Sequence, residues 1–298
     1  MNKLKIQICA GILLAAVSAF GATRSVPSQY STVQAAINAA ASGDTISIAN
    51  GTYTEQVVIP SGKNKLKIVG ASQTGVIITA GANQKAMTVN GSDTTFSYLT
   101  IRSTGGLTAG NNSQAVMVYG SRTEFYRCYL NGYQDTVYLG GGPNYFALSE
   151  VRGSVDFIYG GSASFFTSTN IRQVRPTGGP ATAPNTAQTQ TYGFVFSGCT
   201  ITSASGVAAG SSTLMRPWGA YGESVFVNCT MDASISAAGW TAWNGNEATC
   251  RAYEYGSKTP AGTTINLATR ASWVKRLTAA QAATYTKGNV LGGWTPPL

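Results

Sequence analysis

The chain has no histidine in 298 residues, and only 11 of its residues are acidic. Without histidine, neither a Ser-His-Asp triad nor a Cys-His pair can form. An enzyme made from this chain must therefore take its acid, base or nucleophile from carboxylates, lysine, tyrosine or an unassisted hydroxyl. Carboxylates beside aromatic residues are the first candidates, because such surroundings tune a carboxyl pKa towards neutrality.

Charge of either sign is scarce, at 10% of the residues, whereas hydrophobic residues reach 43%, which is ample for a folded core. The 35 glycines, the 15 tyrosines and the abundant Thr, Ser, Val and Ile favour strands and tight turns over helices. The length allows one large all-β domain or two smaller ones. Because no linker divides the chain, we expect one domain over residues 22–298.

Long apolar runs are lacking after the N-terminus. Lys3 and Lys5 precede an apolar run from Ile6 to Phe20 that ends in small residues. This run is too short for a membrane span and predicts a secretory signal peptide over residues 1–21, with an approximate cleavage point. We therefore expect a secreted, extracellular monomer that is not held in a membrane.

The charge that is present is mainly positive. The formal net charge is +9, and removal of two lysines with the leader leaves 18 basic against 11 acidic residues, or +7. A positive surface suits a polyanion. Nucleic acid is not expected, because basic clusters are lacking, so an acidic polysaccharide is the better match. The alternative is that the charge only aids solubility.

Cysteine gives little information. The leader takes one cysteine, and secretion permits disulfides among the other four, whose three pairings the sequence cannot separate. These are Cys128, Cys199, Cys229 and Cys250. With neither histidine nor a CxxC motif, no metal site is expected.

Four sequons permit glycosylation in a eukaryotic host, at Asn50, Asn90, Asn111 and Asn228. Asn228 lies inside a repeat, where we expect a buried ladder residue.

A six-residue pattern, Phe-x-x-(Cys/Leu/Thr)-x-(Ile/Leu/Met), recurs along the chain. Its first residues are 29, 41, 30 and 30 residues apart, at Phe96, Phe125, Phe166, Phe196 and Phe226. Short strands that recur once per coil predict an all-β, single-stranded parallel β-helix, with the patterned residues facing inward. A β-sandwich or propeller is the alternative, although hairpin dipeptides are few.

Three local patterns complete this fold prediction. Residues 30–40 predict a short amphipathic helix, capped by Ser31 or Thr32, with a single apolar face. Gly51 predicts a turn. The low-complexity stretch 178–190 predicts a loop excursion at one side of the solenoid.

Three polar residues share the coil period. Gln114, Asp135 and Asp156 are 21 residues apart in turn, so stacked coils would place them in a column with steps of roughly 4.8 Å. Two carboxylates this close divide into one protonated and one charged group, and a glutamine N–H can bind an oxyanion. The alternative is that the aspartates only cap turns. The pair suits an esterase or a glycosidase equally.

The motif Arg216-Pro217-Trp218 can bind an acidic sugar. Its guanidinium can hold a carboxylate through two hydrogen bonds while the indole stacks on a sugar ring. Alternatively, the arginine is a surface residue and the tryptophan packs in the core. Trp240 and Trp243 are either further sugar platforms or core residues.

Three ordered motifs, GYQDTVY (132–138), GSVDFIYG (153–160) and RPW (216–218), follow Gln114 and closely resemble the signatures of the pectin methylesterases, carbohydrate esterase family 8. Residues 26–60 are similar to the opening of that family, and 239–244, 254–257 and 271–286 are similar to its closing part. The resemblance implies a right-handed parallel β-helix that hydrolyses galacturonate methyl esters in pectin without a cofactor.

The resemblance also implies a role for each matching residue. Asp156 is the expected nucleophile, and Asp135 the general acid and then base. The remaining expected site residues are Gln114 and Gln134 for the oxyanion, Arg216 to orient the charged Asp156, and Trp218, Tyr138 and Tyr159 for the substrate. The chain departs from the usual family residues at Tyr133, Tyr159 and Met215, which puts only subsite preference in doubt.

Two rival functions stay open. One is a catalytically silent pectin-binding protein, which an altered Asp135, Asp156 or Arg216 would favour, although all three residues are present. The other is a polygalacturonase or pectate lyase. A polygalacturonase requires a histidine, which the chain lacks. A pectate lyase requires a cluster of acidic calcium ligands, which the sequence does not show.

Overall fold

A computed structural model describes residues 21–81, 84–105 and 114–298. The predicted leader, apart from Gly21, and the sequon at Asn111 lie outside these residues. The described chain forms 26 short strands, three α-helices and two 3₁₀ helices. Within these ranges, no helix has the length and apolar character that a bilayer crossing needs.

The first strands in chain order are β1 Thr23–Val26, β2 Thr45–Ile48, β3 Gly51–Thr54, β4 Val57–Ile59, β5 Lys67–Gly70, β6 Val76–Ala80, β7 Met87–Val89, β8 Thr95–Ser97, β9 Thr100–Ser103, β10 Val116–Val118, β11 Thr123–Tyr126, β12 Tyr129–Asn131 and β13 Val137–Leu139. They are followed by β14 Asn144–Ala147, β15 Glu150–Gly153, β16 Ile158–Gly160, β17 Ser164–Thr167, β18 Asn170–Gln173, β19 Pro180–Pro184, β20 Phe194–Ser197, β21 Thr200–Ser203, β22 Thr213–Met215, β23 Glu223–Val227, β24 Thr230–Met231, β25 Arg251–Tyr255 and β26 Lys275–Arg276. The α-helices are α1 Val33–Ala39, α2 Ala279–Ala282 and α3 Lys287–Val290, and the 3₁₀ helices span Asn246–Ala248 and Leu267–Thr269.

The strands form three parallel sheets. Sheet 1 has the order β1-β2-β5-β8-β11-β14-β17-β20-β23-β25-β26, sheet 2 the order β24-β21-β18-β15-β12-β9-β6-β3, and sheet 3 the order β22-β19-β16-β13-β10-β7-β4. Through the middle of the chain, successive strands enter the three sheets in rotation, so each coil contributes one strand to each sheet. This arrangement confirms the predicted parallel β-helix, and the sandwich and propeller alternatives are wrong.

A stack of phenylalanine rings runs through the core. Neighbouring rings lie in register on sheet 1 with centroids 4.3 to 4.9 Å apart, and all are fully buried: Phe96, Phe125, Phe146, Phe166, Phe196 and Phe226. The sequence pattern finds every member except Phe146. The 41-residue step in the pattern is therefore two coils, each with its own ring. At the far end Trp240 packs edge-on against Phe226.

Local structure confirms one prediction and corrects three. Helix α1 is capped by the Thr32 side chain and buries one apolar face, as expected. Gly51 does not turn the chain but begins strand β3. The predicted loop at 178–190 contains β19, which pairs with both β16 and β22. Asn228 is exposed rather than buried, because it occupies a left-handed corner (φ 53°) between β23 and β24.

The C-terminal segment covers the outer face of sheet 1. Ala282, Val290 and Leu291 are buried there in one cluster with sheet residues such as Val195 and Val225. This cluster is separate from the interior core of the coils. Because sheet 1 is covered in this way, its outer face is not available for a large substrate.

Candidate active site

Three polar side chains lie at the start of consecutive strands of sheet 3. Val116, Val137 and Ile158 are in register across β10, β13 and β16. Gln114, Asp135 and Asp156 each precede one of these residues by two positions. The equal spacing in the sequence therefore becomes a column over three adjacent coils, each one strand separation from the next.

Both aspartates adopt the left-handed backbone conformation. The φ angle is 59° at Asp135 and 52° at Asp156. Aspartate and asparagine enter this region more readily than other non-glycine residues, because a short polar side chain can bond locally. Main-chain hydrogen bonds stabilise each corner, since the Asp135 amide donates to the Val155 carbonyl (3.1 Å) and the Asp156 amide to that of Pro180 (2.8 Å).

Arg216 forms a hydrogen-bonded ion pair with the carboxylate of Asp156. Its Nε lies 2.8 Å from Oδ1 and 2.9 Å from Oδ2, and its Nη2 also donates to Oδ2. The other side of the guanidinium faces an aromatic ring, with Cζ 4.0 Å from the ring centroid of Trp243. The sequence did not single out Trp243 for this position. It lies in an irregular segment, where no periodic signal relates it to Arg216.

The two carboxylates differ electrostatically. Burial and the charge of Asp156 raise the pKa of Asp135 to about 7, while Arg216 opposes the rise. Burial also raises the pKa of Asp156, but there the guanidinium hydrogen-bonds the charged form directly and counteracts the burial. Since only Asp156 has this hydrogen-bonded cation, Asp156 holds the negative charge and Asp135 is the member that takes up a proton near neutrality.

A cleft of about 470 Å³ opens over this pair. It is lined by Gln134, Asp135, Asp156, Tyr159, Ala183, Arg216, Trp218, Trp243 and Asn244. Trp218 is 48% exposed, and its ring centroid lies 6.1 Å from that of Tyr159. Six of the eight residues expected at the site thus line one cleft. The other two contact Tyr159 directly: the Gln114 side-chain amide donates a 3.4 Å hydrogen bond to the Tyr159 hydroxyl, and the ring centroid of Tyr138 lies 5.0 Å from that of Tyr159.

Other reactive groups lie outside the cleft. Within residues 21–81, 84–105 and 114–298, no group of three or more His, Cys, Asp or Glu is arranged to hold a metal ion. The four cysteines of these ranges are free and buried, and burial raises the pKa of Cys128 to about 12. Trp240 is a core residue rather than a sugar platform, because it is buried and donates to Glu254 (2.6 Å).

The parallel β-helix carries one open cleft with a guanidinium-bound carboxylate, a second carboxyl of raised pKa and exposed aromatic rings. Such a cleft has the features of a hydrolase that acts on a sugar polymer. Comparison with known proteins agrees. The family model "Pectinesterase" matches residues 21–294. The chain belongs to the pectinesterase family, and is therefore a carboxylic ester hydrolase of the pectin methylesterase type.

Individual relatives show how far the likeness extends. The chain is 32% identical over 255 residues to putative pectinesterase 11 of Arabidopsis thaliana, covering 83% of this chain and 70% of that protein. It is 29% identical to pectinesterase 2 of Citrus sinensis, covering 89% of this chain and 55% of that protein. The chain thus spans about half the length of several curated relatives.

Solved structures match over nearly the whole chain. Pectin methylesterase from carrot superposes with a TM-score of 0.84 at 26% identity, covering 94% of this chain and 95% of that one. A pectin methylesterase in complex with a hexasaccharide gives a TM-score of 0.81 at 27% identity, covering 94% and 99%. These structures share the parallel β-helix.

Proposed function

We propose that this protein hydrolyses the methyl esters of galacturonate residues in pectin, producing free carboxylates and methanol. The observation that carries the proposal is the double hydrogen bond from Arg216 to Asp156 beside a second carboxyl of raised pKa, Asp135. Family membership supports the substrate, as does the relative in complex with a hexasaccharide.

In the first half-reaction, Asp156 is the nucleophile. One of its carboxylate oxygens attacks the ester carbonyl carbon, and the carbonyl electrons move onto oxygen. The side-chain amides of Gln114 and Gln134 donate hydrogen bonds to that oxyanion. When the tetrahedral intermediate collapses, the bond to the methoxy oxygen breaks, Asp135 gives that oxygen its proton, and methanol leaves. The sugar then remains as an acyl anhydride on Asp156.

In the second half-reaction, Asp135 acts as a base. Now ionised, it takes a proton from a water molecule that attacks the same carbonyl carbon. The anhydride bond to Asp156 breaks, and its electrons return to the Asp156 carboxylate. The product leaves as galacturonic acid, which keeps the second proton of the water and then loses it to the solvent, and both side chains are restored. Arg216 orients Asp156 through both steps and stabilises its negative charge as a leaving group.

The aromatic residues of the cleft hold the sugar ring. Trp218 offers an exposed indole for stacking, and Tyr159 and Tyr138 extend this surface along sheet 3. Aromatic rings pack well on the apolar C–H face of a pyranose ring, while their polar tips stay hydrated. Asp156 is thereby presented to an ester on a bound sugar.

The decisive test compares wild type and Asp156→Asn on highly methylated pectin. We expect methanol release by the wild type, without new reducing ends or unsaturated products, and no release by the variant. Asparagine keeps the shape and tolerates the left-handed backbone, so the thermal midpoint should stay near that of the wild type. Full turnover by Asp156→Asn would refute the mechanism, and chain cleavage by the wild type would refute the function.

We further propose that the protein acts outside the cell, where pectin lies. The N-terminal pattern of Lys3, Lys5 and an apolar run supports export. Expression of the full chain and N-terminal sequencing of protein from the medium test this. A chain that stays inside the cell with its first residues intact would contradict it.

A further inference from the structure

Four long polar side chains stand in register on the outer face of sheet 2. They lie on the adjacent strands β9, β12, β15 and β18 and are Arg102, Asn131, Arg152 and Arg172. The residue before each of them is buried in the core, so strand alternation points these four side chains outward. We call them the arginine row. It covers three strand spacings, or about 14 Å along the solenoid.

The positive charge of this row is poorly compensated. Arg152 and Arg172 occupy paired positions on neighbouring strands, where like charges destabilise a sheet. The strands of sheet 2 contain one acidic residue, Glu150, against three arginines. Its carboxylate accepts a 2.8 Å hydrogen bond from Asn170 and lies 3.8 Å from Nε of Arg152. These strands therefore carry a surplus of two positive charges.

Two polar atoms of the row have no hydrogen-bond partner among the described residues. Nε of Arg172 and Oδ1 of Asn131 are both buried and unpaired, which costs free energy. A carboxylate along the Nε edge of Arg172 would supply the missing acceptor, and a hydroxyl beside Asn131 would supply the missing donor. Both atoms are covered in this structure, so the two side chains must turn outward on binding. A sugar acid carries both of the required groups.

We propose that the arginine row binds a run of ionised galacturonate residues, at a site separate from the catalytic cleft. The proposal rests on the pectin methylesterase function above, whose product carries such carboxylates. They are freed close to the row, because Asn131 and Arg152 precede Asp135 and Asp156 by four residues each. A carboxylate on every sugar can bridge neighbouring guanidinium groups and offset their repulsion. The cleft, which holds two aspartates, offers the ionised product no such compensation.

Binding of a long, fully de-esterified galacturonate oligomer tests the site, because this probe has no ester to hydrolyse. Calorimetric titration at low ionic strength gives its Kd for the wild type and for the double variant Arg152→Gln/Arg172→Gln. Loss of two charge-assisted contacts should raise Kd about 10- to 100-fold, and added salt should weaken wild-type binding. Arg152→Gln alone should give a smaller increase. Trp218→Ala, in the cleft, should leave this Kd unchanged.

The matched control is Arg127→Gln/Arg276→Gln, which changes the net charge equally. Both residues are exposed arginines outside the strands of sheet 2, so the Kd should match that of the wild type. Methanol release gives a second readout. On a short, fully esterified oligomer, the Arg152/Arg172 double variant should keep wild-type kcat and KM, which also shows that it folds. On partly de-esterified pectin, its KM should rise.

An unchanged Kd of the Arg152/Arg172 double variant would overturn the site. An equal increase in the control pair would overturn it too, because only non-specific attraction would then act. Equally tight binding of polyglutamate by the wild type would overturn the assignment to galacturonate. Absence of methanol release by the wild type from every esterified probe would instead refute the proposed function, and the Kd comparison would still decide whether the arginine row binds the polyanion.

Discussion

Arg216 bonds both carboxylate oxygens of Asp156 although the two residues are 60 positions apart in the chain and two coils apart along the solenoid. The coil between them contributes Ala183, which is paired with Tyr159 on one side and lies level with Arg216 on the other. A methyl group at this position leaves the guanidinium room to cross the coil. We therefore expect the contact between Arg216 and Asp156 to require a small side chain at Ala183.

Arg216→Lys should lower kcat for methanol release by about 100-fold or more, because an ammonium group cannot reproduce the two parallel hydrogen bonds that orient Asp156. Steady-state kinetics on methylated pectin measure this. The matched control is Arg122→Lys, since Arg122 bonds both oxygens of Asp93 away from the cleft. The control should keep wild-type kcat. Equal activity of the two variants would contradict the orienting role.

Ala183→Leu should reduce kcat by about 10- to 100-fold, because the larger side chain fills the path of the Arg216 guanidinium and displaces it from Asp156. Methanol release and the thermal midpoint are measured together. Thr88→Leu is the control, because it adds a leucine on the same sheet, in strand β7, at a ladder position in register with Met117. If both leucine variants keep full activity, the crossing at Ala183 is not required.

The pH dependence of kcat/KM should follow the two carboxyl groups. In the proposed mechanism, methanol release needs Asp135 protonated. The pKa of that group is raised to about 7 by burial and by Asp156, so kcat/KM should fall as the pH rises through about 7. On the acid side, kcat/KM should fall when Asp156 gains a proton. Burial raises the pKa of Asp156, so this acid-side decrease in kcat/KM is expected at a higher pH than an ordinary carboxyl group would give. Initial rates at low substrate concentration over a pH series give the profile, and a kcat/KM that still rises well above neutrality would contradict the acid role of Asp135.

Phe146→Ala should destabilise the fold by about 3 to 5 kcal/mol, because it removes a fully buried ring that stacks on neighbours at 4.8 and 4.3 Å. Urea unfolding measures the free energy. Leu148→Ala, two residues further on at an exposed position, should change it by no more than about 0.5 kcal/mol. A similar small change for both variants would mean that the stack adds little to stability.

The sequence predicts most of the site because the site follows the coil period. Gln114, Asp135 and Asp156 are evenly spaced, and stacked coils turn even spacing into a column. The same periodicity predicts the buried Phe, Cys and aliphatic positions of the core. Family motifs then suggest separate roles for the two aspartates, which spacing alone leaves equivalent.

The features that the sequence does not predict either lie in irregular segments or have residues that depart from the usual pattern. Phe146 escapes the pattern because Ser149 and Val151 replace the expected fourth and sixth residues of its repeat. Strand β19 is read as a loop because its sequence, PATAP, has little β propensity, while neighbours on both sides supply its pairing. Trp243 lies in an irregular segment, and only the tertiary fold brings its ring next to Arg216.

The left-handed backbone at Asp135 and Asp156 also bears on how such proteins evolve. Asparagine readily adopts that conformation, and an aspartate codon differs from an asparagine codon by one nucleotide. With the catalytic roles proposed for these aspartates, a single mutation removes catalysis while the coil corner and the open cleft persist. A lineage that lost the enzyme would inherit an intact binder of its former substrate, and duplicated genes can take that route without first passing through a misfolded ancestor.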